Sequence, residues 1–316
     1  MRGRAARMAP CALVVALGAL MPRAHAESRL AGPASDPFAS RRPAEAAITG
    51  GVVTLRQPAS QMIRVPAGSF DMGSTPEDVL DALTDCAREP LGGRCREEMF
   101  SDEMPRHKVE LSSFWLDRME VTVRDYARCV ALRRCRAAPF EQGGKRFDRP
   151  TFPVTLVRHP DARAYCRFRS ARLPTEAEYE RAARGARGRR YPWGDLYNSR
   201  VANRGRLGLG STDAQDGFAE LAPVGSFPSG RTPAGFLDLA GNVAEWTADR
   251  YAPSYSSGPA VDPKGPALGA GTSGYVVRGG HFSSAAPWMR GASRASAEPE
   301  ARSPSLGFRC ARTARR

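Results

Sequence analysis

The order of apolar and polar positions changes character at about Gln61. Before it, residues 27–60 are rich in Ala, Pro, Ser and Arg and carry little periodicity, the texture of a disordered linker. After it, MIRVPAGSFDMGS alternates apolar with polar residues and turns at its glycines, predicting a strand and hairpin. VELSSFWLDRMEVT, residues 109–122, predicts a second strand pair. VTVRDYARCVAL has a helical pattern that Thr122 can cap, and PDARAYCRFRS predicts another helix near 160–170. The clearest local signal is LPTEAEYERAARG. There Thr175 and Glu178 form a capping box, Pro174 precedes it and Gly185 can end the helix. Nearly a hundred loop-dominated residues follow, interrupted at GFLDLAGNVAEWTADRY and YVVRGGHF. No repeat of 20–50 residues is evident. The pattern predicts an α+β domain over 61–316, with little regular structure and long loops.

Composition adds three constraints. Residues 1–26 combine a basic start, the apolar run CALVVALGAL and the small-residue stretch AHA, which predicts a cleaved secretory signal peptide. The protein is then exported, periplasmic or extracellular. No later run reaches the length of a membrane span, so an integral membrane protein is not expected. Export changes the reading of the cysteines. Beyond Cys11 there are six, an even number that favours three disulfides in an oxidising compartment. Cys86/Cys95 and Cys129/Cys135 are close enough for local loops, and Cys166 would then pair with Cys310. Such a long-range bridge is worth roughly 4–5 kcal/mol in the chain-entropy account. The formal net charge is +14, but only Lys108, Lys145 and Lys264 are lysines and the arginines are scattered. That is a solvated arginine-rich surface, and a nucleic-acid partner would conflict with export.

VPAGSFDMGS, DEMPRHKVELSSFWLDRMEVT, FPVTLV, ARLPTEAEYERAARG, YPWGD, GFLDLAGNVAEWT, VVRGG and LGFRC occur in this order. Together they resemble the formylglycine-generating enzyme, or sulfatase-modifying factor, family over about residues 61–313. The resemblance implies a variant of the C-type lectin fold, pinned by disulfides. Two positions depart from it: Tyr179 and Ala244 stand where the family usually has tryptophan.

The resemblance also implies two structural calcium sites. One would take Asp238 and Glu245 by side chain, with the carbonyls of Gly241 and Val243. The other would take Asn203 and Asp216 by side chain, with the carbonyls of Arg204 and Phe218. Mixed carboxylate and carbonyl oxygens suit this hard cation. Read without the resemblance, these carboxylates would cap turns and pair with nearby arginines. The family's prototype supports the Cys166–Cys310 pairing, with Cys86–Cys95 and Cys129–Cys135 as additions. Its second core disulfide has no counterpart, since Ala183 and Gly291 fill those positions.

Formylglycine-generating enzymes oxidise a cysteine of a client sulfatase with oxygen and with copper held by two thiolates. Those thiolates would fall within HFSSAAPWMRGAS, residues 281–293, which contains no cysteine. Hydroxyls do not replace soft thiolates as Cu(I) ligands, so copper is not expected. The sequence therefore predicts a non-catalytic binding or scaffold module for a protein, peptide or glycan, a monomer. His281, Ser283, Ser284, Trp288 and Arg290 are candidates for the cleft wall, against the alternative of ordinary loop packing. Trp288 and Met289 also suit packing. The competing reading is a divergent oxidoreductase acting on a secreted protein or peptide. It would be formylglycine-generating, or like the pyoverdine-maturing oxidase that resembles this fold and also lacks the thiol pair. The ergothioneine-synthesising branch needs a separate His-rich helical domain, which this chain lacks.

Overall fold

The computed structural model describes residues 61–89, 93–206, 213–267, 269 and 274–314. The signal peptide and linker expected over 1–60 lie outside them. In chain order the strands are β1 (Met62–Val65), β2 (Gly68–Met72), β3 (His107–Leu111), β4 (Phe114–Asp117), β5 (Ala244–Arg250), β6 (Ala260–Val261), β7 (Tyr275–Arg278), β8 (Arg294–Ala297), β9 (Leu306–Gly307) and β10 (Ala311–Thr313). The α-helices are α1 (Pro76–Ala87), α2 (Val123–Ala131), α3 (His159–Phe168) and α4 (Glu176–Arg184). Between α4 and β5 the described chain holds only a short helical turn at Pro228–Gly230, so the long loop region expected after Gly185 is present.

The N-terminal strands pair differently from the two hairpins expected. β1 pairs with β4 and β2 pairs with β3, in one continuous register from Met62↔Asp117 to Met72↔His107. They form a single antiparallel ribbon, interrupted at Pro66 and Ala67. Proline lacks the N–H that a ladder needs. Beyond the break the halves enter different sheets, because β10 adds to β4 and β6 adds to β3. Period-2 alternation marks a strand and its buried face but does not choose its partner. Helix α1, which the pattern did not reveal, sits in the excursion that closes this ribbon. Thr75 and Asp78 form its capping box.

A third sheet, in the order β8-β7-β5-β9, lies beside the main apolar core. Trp246 from β5 is fully buried there with Phe308, Val154, Tyr126 and Tyr165, and its indole N–H donates to Val157 O at 3.1 Å. The three disulfides form as paired above, Cys86–Cys95, Cys129–Cys135 and Cys166–Cys310. The last joins α3 to the residue that precedes β10, 144 positions later.

Helix α4 has the expected cap, with Thr175 Oγ1 accepting from Glu178 N and Glu178 Oε2 accepting from Thr175 N. Its charged composition suggests a surface helix, yet all nine of its residues are buried. Buried charges persist only when paired and hydrogen-bonded. The partners of Glu176 and Glu180 come from the far end of the chain and build the candidate site.

Candidate functional site

β7 delivers Arg278 and then a glycine pair, both with left-handed backbone, at φ 95° for Gly279 and 64° for Gly280. Space also demands glycine here. A Cβ on Gly279 would lie 2.5 Å from the Tyr179 hydroxyl, and one on Gly280 would lie 2.8 Å from Trp288 O. The chain then loops through residues 281–293 and returns as β8.

Arg278 holds both ends of that loop. Its guanidinium meets Glu180 at 2.6 Å and Glu176 at 3.1 Å on α4, and donates to the carbonyls of Gly291 and Ala292. Arg294 makes a bidentate pair with the same Glu176, at 2.7 and 2.9 Å. Arg290 makes another with Glu103, at 2.6 and 2.8 Å. The spaced arginines of this segment are therefore buried struts. Such bidentate forks are the geometry in which a guanidinium best offsets its desolvation.

Within the loop, Ser284 Oγ accepts from His281 N and Ser284 N donates to His281 O. Ser283 Oγ lies 2.9 Å from His281 Nδ1. Burial pushes the His281 imidazole below its ordinary range. Met289 is fully buried with Tyr191, Ala202 and Ala240, and Trp288 tilts against Phe100 at 5.8 Å.

A cavity of about 240 Å³ opens beside this loop. His281, Ser284 and Trp288 line it; of the other cleft candidates, Ser283 is turned to His281 and Arg290 is committed to Glu103. The opposite wall comes from Ala244 on β5 and from Ser303, Ser305 and Leu306. Ala244 stands where the resemblance calls for an indole, so the smaller side chain leaves that volume open. The serine pair S-x-S before the GFR motif is the only signal that could have flagged this wall. Its two hydroxyls lie 2.8 Å apart.

The loop is laced to both expected calcium segments. Gly205 N donates to Ser284 O, Phe282 N to Asn242 O, and Gly241 N to Gly279 O. Asn242, which sequence reasoning passed over, is the hub, in a left-handed conformation that asparagine tolerates. Its Oδ1 accepts from Ala222 N and Asn203 Nδ2, and its Nδ2 donates to Glu120.

The two donor sets differ. At 203–218, Asn203 Nδ2 is fixed by Glu220 O and Asn242 Oδ1, while its Oδ1 is buried with no hydrogen-bond partner. A short chain segment away, Asp216 accepts from Arg204 N and Phe218 N. An orphaned buried amide oxygen is an atom that a hard cation would satisfy. At 238–245, Glu245 already holds Arg309 with both oxygens, at 2.6 and 2.7 Å. Asp238 accepts from Gly225 N at 2.6 Å, and Glu120 Oε2 is buried with no hydrogen-bond partner. Burial, then repulsion from Asp238 and Glu245, pushes Glu120 well above its usual range. Among the described residues no group of three or more His, Cys, Asp or Glu side chains is arranged to hold a metal, so any ion here depends on amide and backbone oxygens.

Ala183 and Gly291 stand side by side. A Cβ on Gly291 would lie 3.6 Å from that of Ala183, within the range of a disulfide-linked pair, but the Arg184 side chain occupies the space.

Residues 51–314 match the sulfatase-modifying factor enzyme 1-like domain. The chain is 32% identical to the inactive C-alpha-formylglycine-generating enzyme 2 of Bos taurus over 282 residues, 79% of this chain and 87% of that one. It is 43% identical to the formylglycine-generating enzyme of Streptomyces coelicolor over 176 residues, 52% of this chain and only 54% of that relative's length. PvdO from Pseudomonas aeruginosa has the same fold, with a TM-score of 0.60 over 80% of this chain and 94% of its own, at 24% identity.

Proposed function

Because the chain belongs to the sulfatase-modifying factor enzyme 1-like family, we propose that it is an exported, calcium-stabilised binding module of that family and not a copper oxidase. One observation carries this reading: the use of the cysteines. All six between residues 61 and 316 are joined in disulfides, so the described chain offers no thiolate. Where the family's oxidases hold copper on a thiol pair, this loop offers His281, Ser283, Ser284 and Met289. Hydroxyls and one buried thioether do not make a Cu(I) site. The likeness to a relative described as inactive, over most of both chains, supports the same reading.

Three disulfides belong to an oxidising compartment, and together with the N-terminal pattern they support export to the periplasm or beyond. Among the described residues no helix is long and apolar enough to cross a membrane. Calcium would be held at Asn203, Arg204, Asp216 and Phe218. At Asp238, Gly241, Val243 and Glu245 it would share Glu245 with Arg309. In both places its role is to organise loop segments, the second of which leads into β5. The cavity beside Ala244 and His281 would take a side chain of a protein or peptide, or a sugar unit of a glycan.

Metal analysis of the purified chain, joined to oxygen-uptake measurement with a cysteine-containing sulfatase peptide and added copper, tests this. The expected result is bound calcium and no oxygen consumption. Metal-dependent turnover of the peptide would overturn the reading in favour of a divergent oxidase.

A further inference from the structure

A second cavity, of about 450 Å³, lies away from the cleft, between α3, β5 and the segment carrying Lys264. Its walls carry Arg163, Arg167, Arg172, Arg250 and Lys264. Of these only Arg172 has a carboxylate partner, Glu178, in a bidentate pair at 2.6 Å. The other four cations make no ion pair among the described residues.

The local acids are engaged elsewhere. The one acidic residue of α3, Asp161, is held by Arg158 and Arg302. Asp249, between the two β5 residues that line the cavity, lies on the buried side and accepts from Glu176 N. Burial, then Glu176, pushes its carboxyl up to about 8, which weakens it as a counter-charge. Arg163 and Arg167 are one helical turn apart on α3. Like charges at that spacing disfavour a helix, a cost that a bound anion removes.

The floor is apolar, formed by Leu173, Ala248 and Pro266 with the ring of Tyr275. Tyr275 is fixed by stacking on His159, with centroids 3.5 Å apart, and Arg250 lies over its ring at 4.9 Å. His159 is kept neutral, first by burial and then by the positive field of Arg163 and Arg250. The result is a concavity with a cationic rim and an apolar base. Guanidinium forks match tetrahedral oxyanions, and such a base suits the ring that carries them. One carboxylate brings a single charge, fewer than this rim presents.

We propose that this basin binds a compact organic polyanion, a phosphate or sulfate ester carried on a ring-sized body. Titration calorimetry on the full chain in about 0.15 M salt tests it, with inositol hexakisphosphate and sucrose octasulfate as probes. Saturable one-to-one binding of at least one probe is expected, and the one bound more tightly identifies the ester. Arg163→Glu with Arg167→Glu should weaken it about tenfold or more, and so should Lys264→Glu, which lies outside the helix. The charge-matched control Arg134→Glu with Arg136→Glu, exposed near α2, should leave it unchanged. Binding of neither probe, or equal weakening by the control, would overturn the proposal, since only diffuse positive charge would then be acting.

Discussion

Arg278 Nη2 lies 2.6 Å from Glu180 Oε2, and both side chains are wholly withdrawn from water. The pair joins the last residue of β7 to the middle of α4, 98 positions earlier. Through the carbonyls of Gly291 and Ala292 the same guanidinium closes the candidate loop.

Removing one partner of this pair leaves the other buried charge with one counter-ion in place of two, Glu180 with Arg184 and Arg278 with Glu176. Arg278→Met is expected to destabilise the fold by about 3–5 kcal/mol, and Glu180→Gln by a similar amount. The double substitution should cost clearly less than the two combined. Urea unfolding of all four chains gives the coupling, and strict additivity would show that the two side chains do not depend on each other.

Gly279 has a left-handed backbone and would press a Cβ on the Tyr179 hydroxyl. Gly279→Ala should cost about 2 kcal/mol or more, part backbone strain and part collision. Tyr179→Phe removes the atom that is struck. Adding it to Gly279→Ala should recover part of the loss, and thermal unfolding of the two variants would reveal whether it does.

Asp249 gives stability a defined pH dependence. Its carboxyl is pushed up to about 8, by burial first and then by Glu176, whereas an aspartate in the unfolded chain titrates near about 3.9. Between about pH 4 and 8 the folded state therefore holds a proton that the unfolded state releases. The contribution is complete below about pH 4 and is lost as pH rises through the window, by about 1.4 kcal/mol per unit. Asp249→Asn keeps the acceptor for Glu176 N and removes this slope. The variant should gain on the natural chain as pH is raised from about 5 to 8, measured by denaturant midpoints at each pH.

If calcium organises the 203–218 segment, a chelator should lower the unfolding temperature, and excess calcium should restore it. At a hundredfold excess over Kd the stabilisation is about 2.7 kcal/mol. Asn203→Ala and Asp216→Ala should each reduce that response. A chelator-insensitive unfolding curve with full retention of the fold would remove calcium from the account.

Much of this was legible in the chain. Local signals depend on neighbours a few residues apart, and the sequence carries them outright. Examples are the capping box of Thr175 and Glu178, the Thr122 cap, and the glycine pair at 279–280. The six-cysteine framework followed from an even count and short spacings. Helix α1 was missed because its cap lies in a segment that reads as the end of a hairpin.

What stayed hidden depends on partners distant in sequence. Alternation marked β1 to β4 as strands, but only the tertiary register shows one ribbon in place of two hairpins. The composition of α4 reads as a solvent-facing helix. It is buried because Arg278 and Arg294 arrive from about a hundred residues away to neutralise Glu176 and Glu180. The same pairing withdrew Arg290 from the cleft and gave it to Glu103. By itself the sequence determined the family, the fold class and the absence of cysteine from residues 281–293, because these are properties of order and residue type. Only the tertiary structure decided which charges are struts and which remain free, since pairing a buried charge is a matter of three-dimensional neighbours.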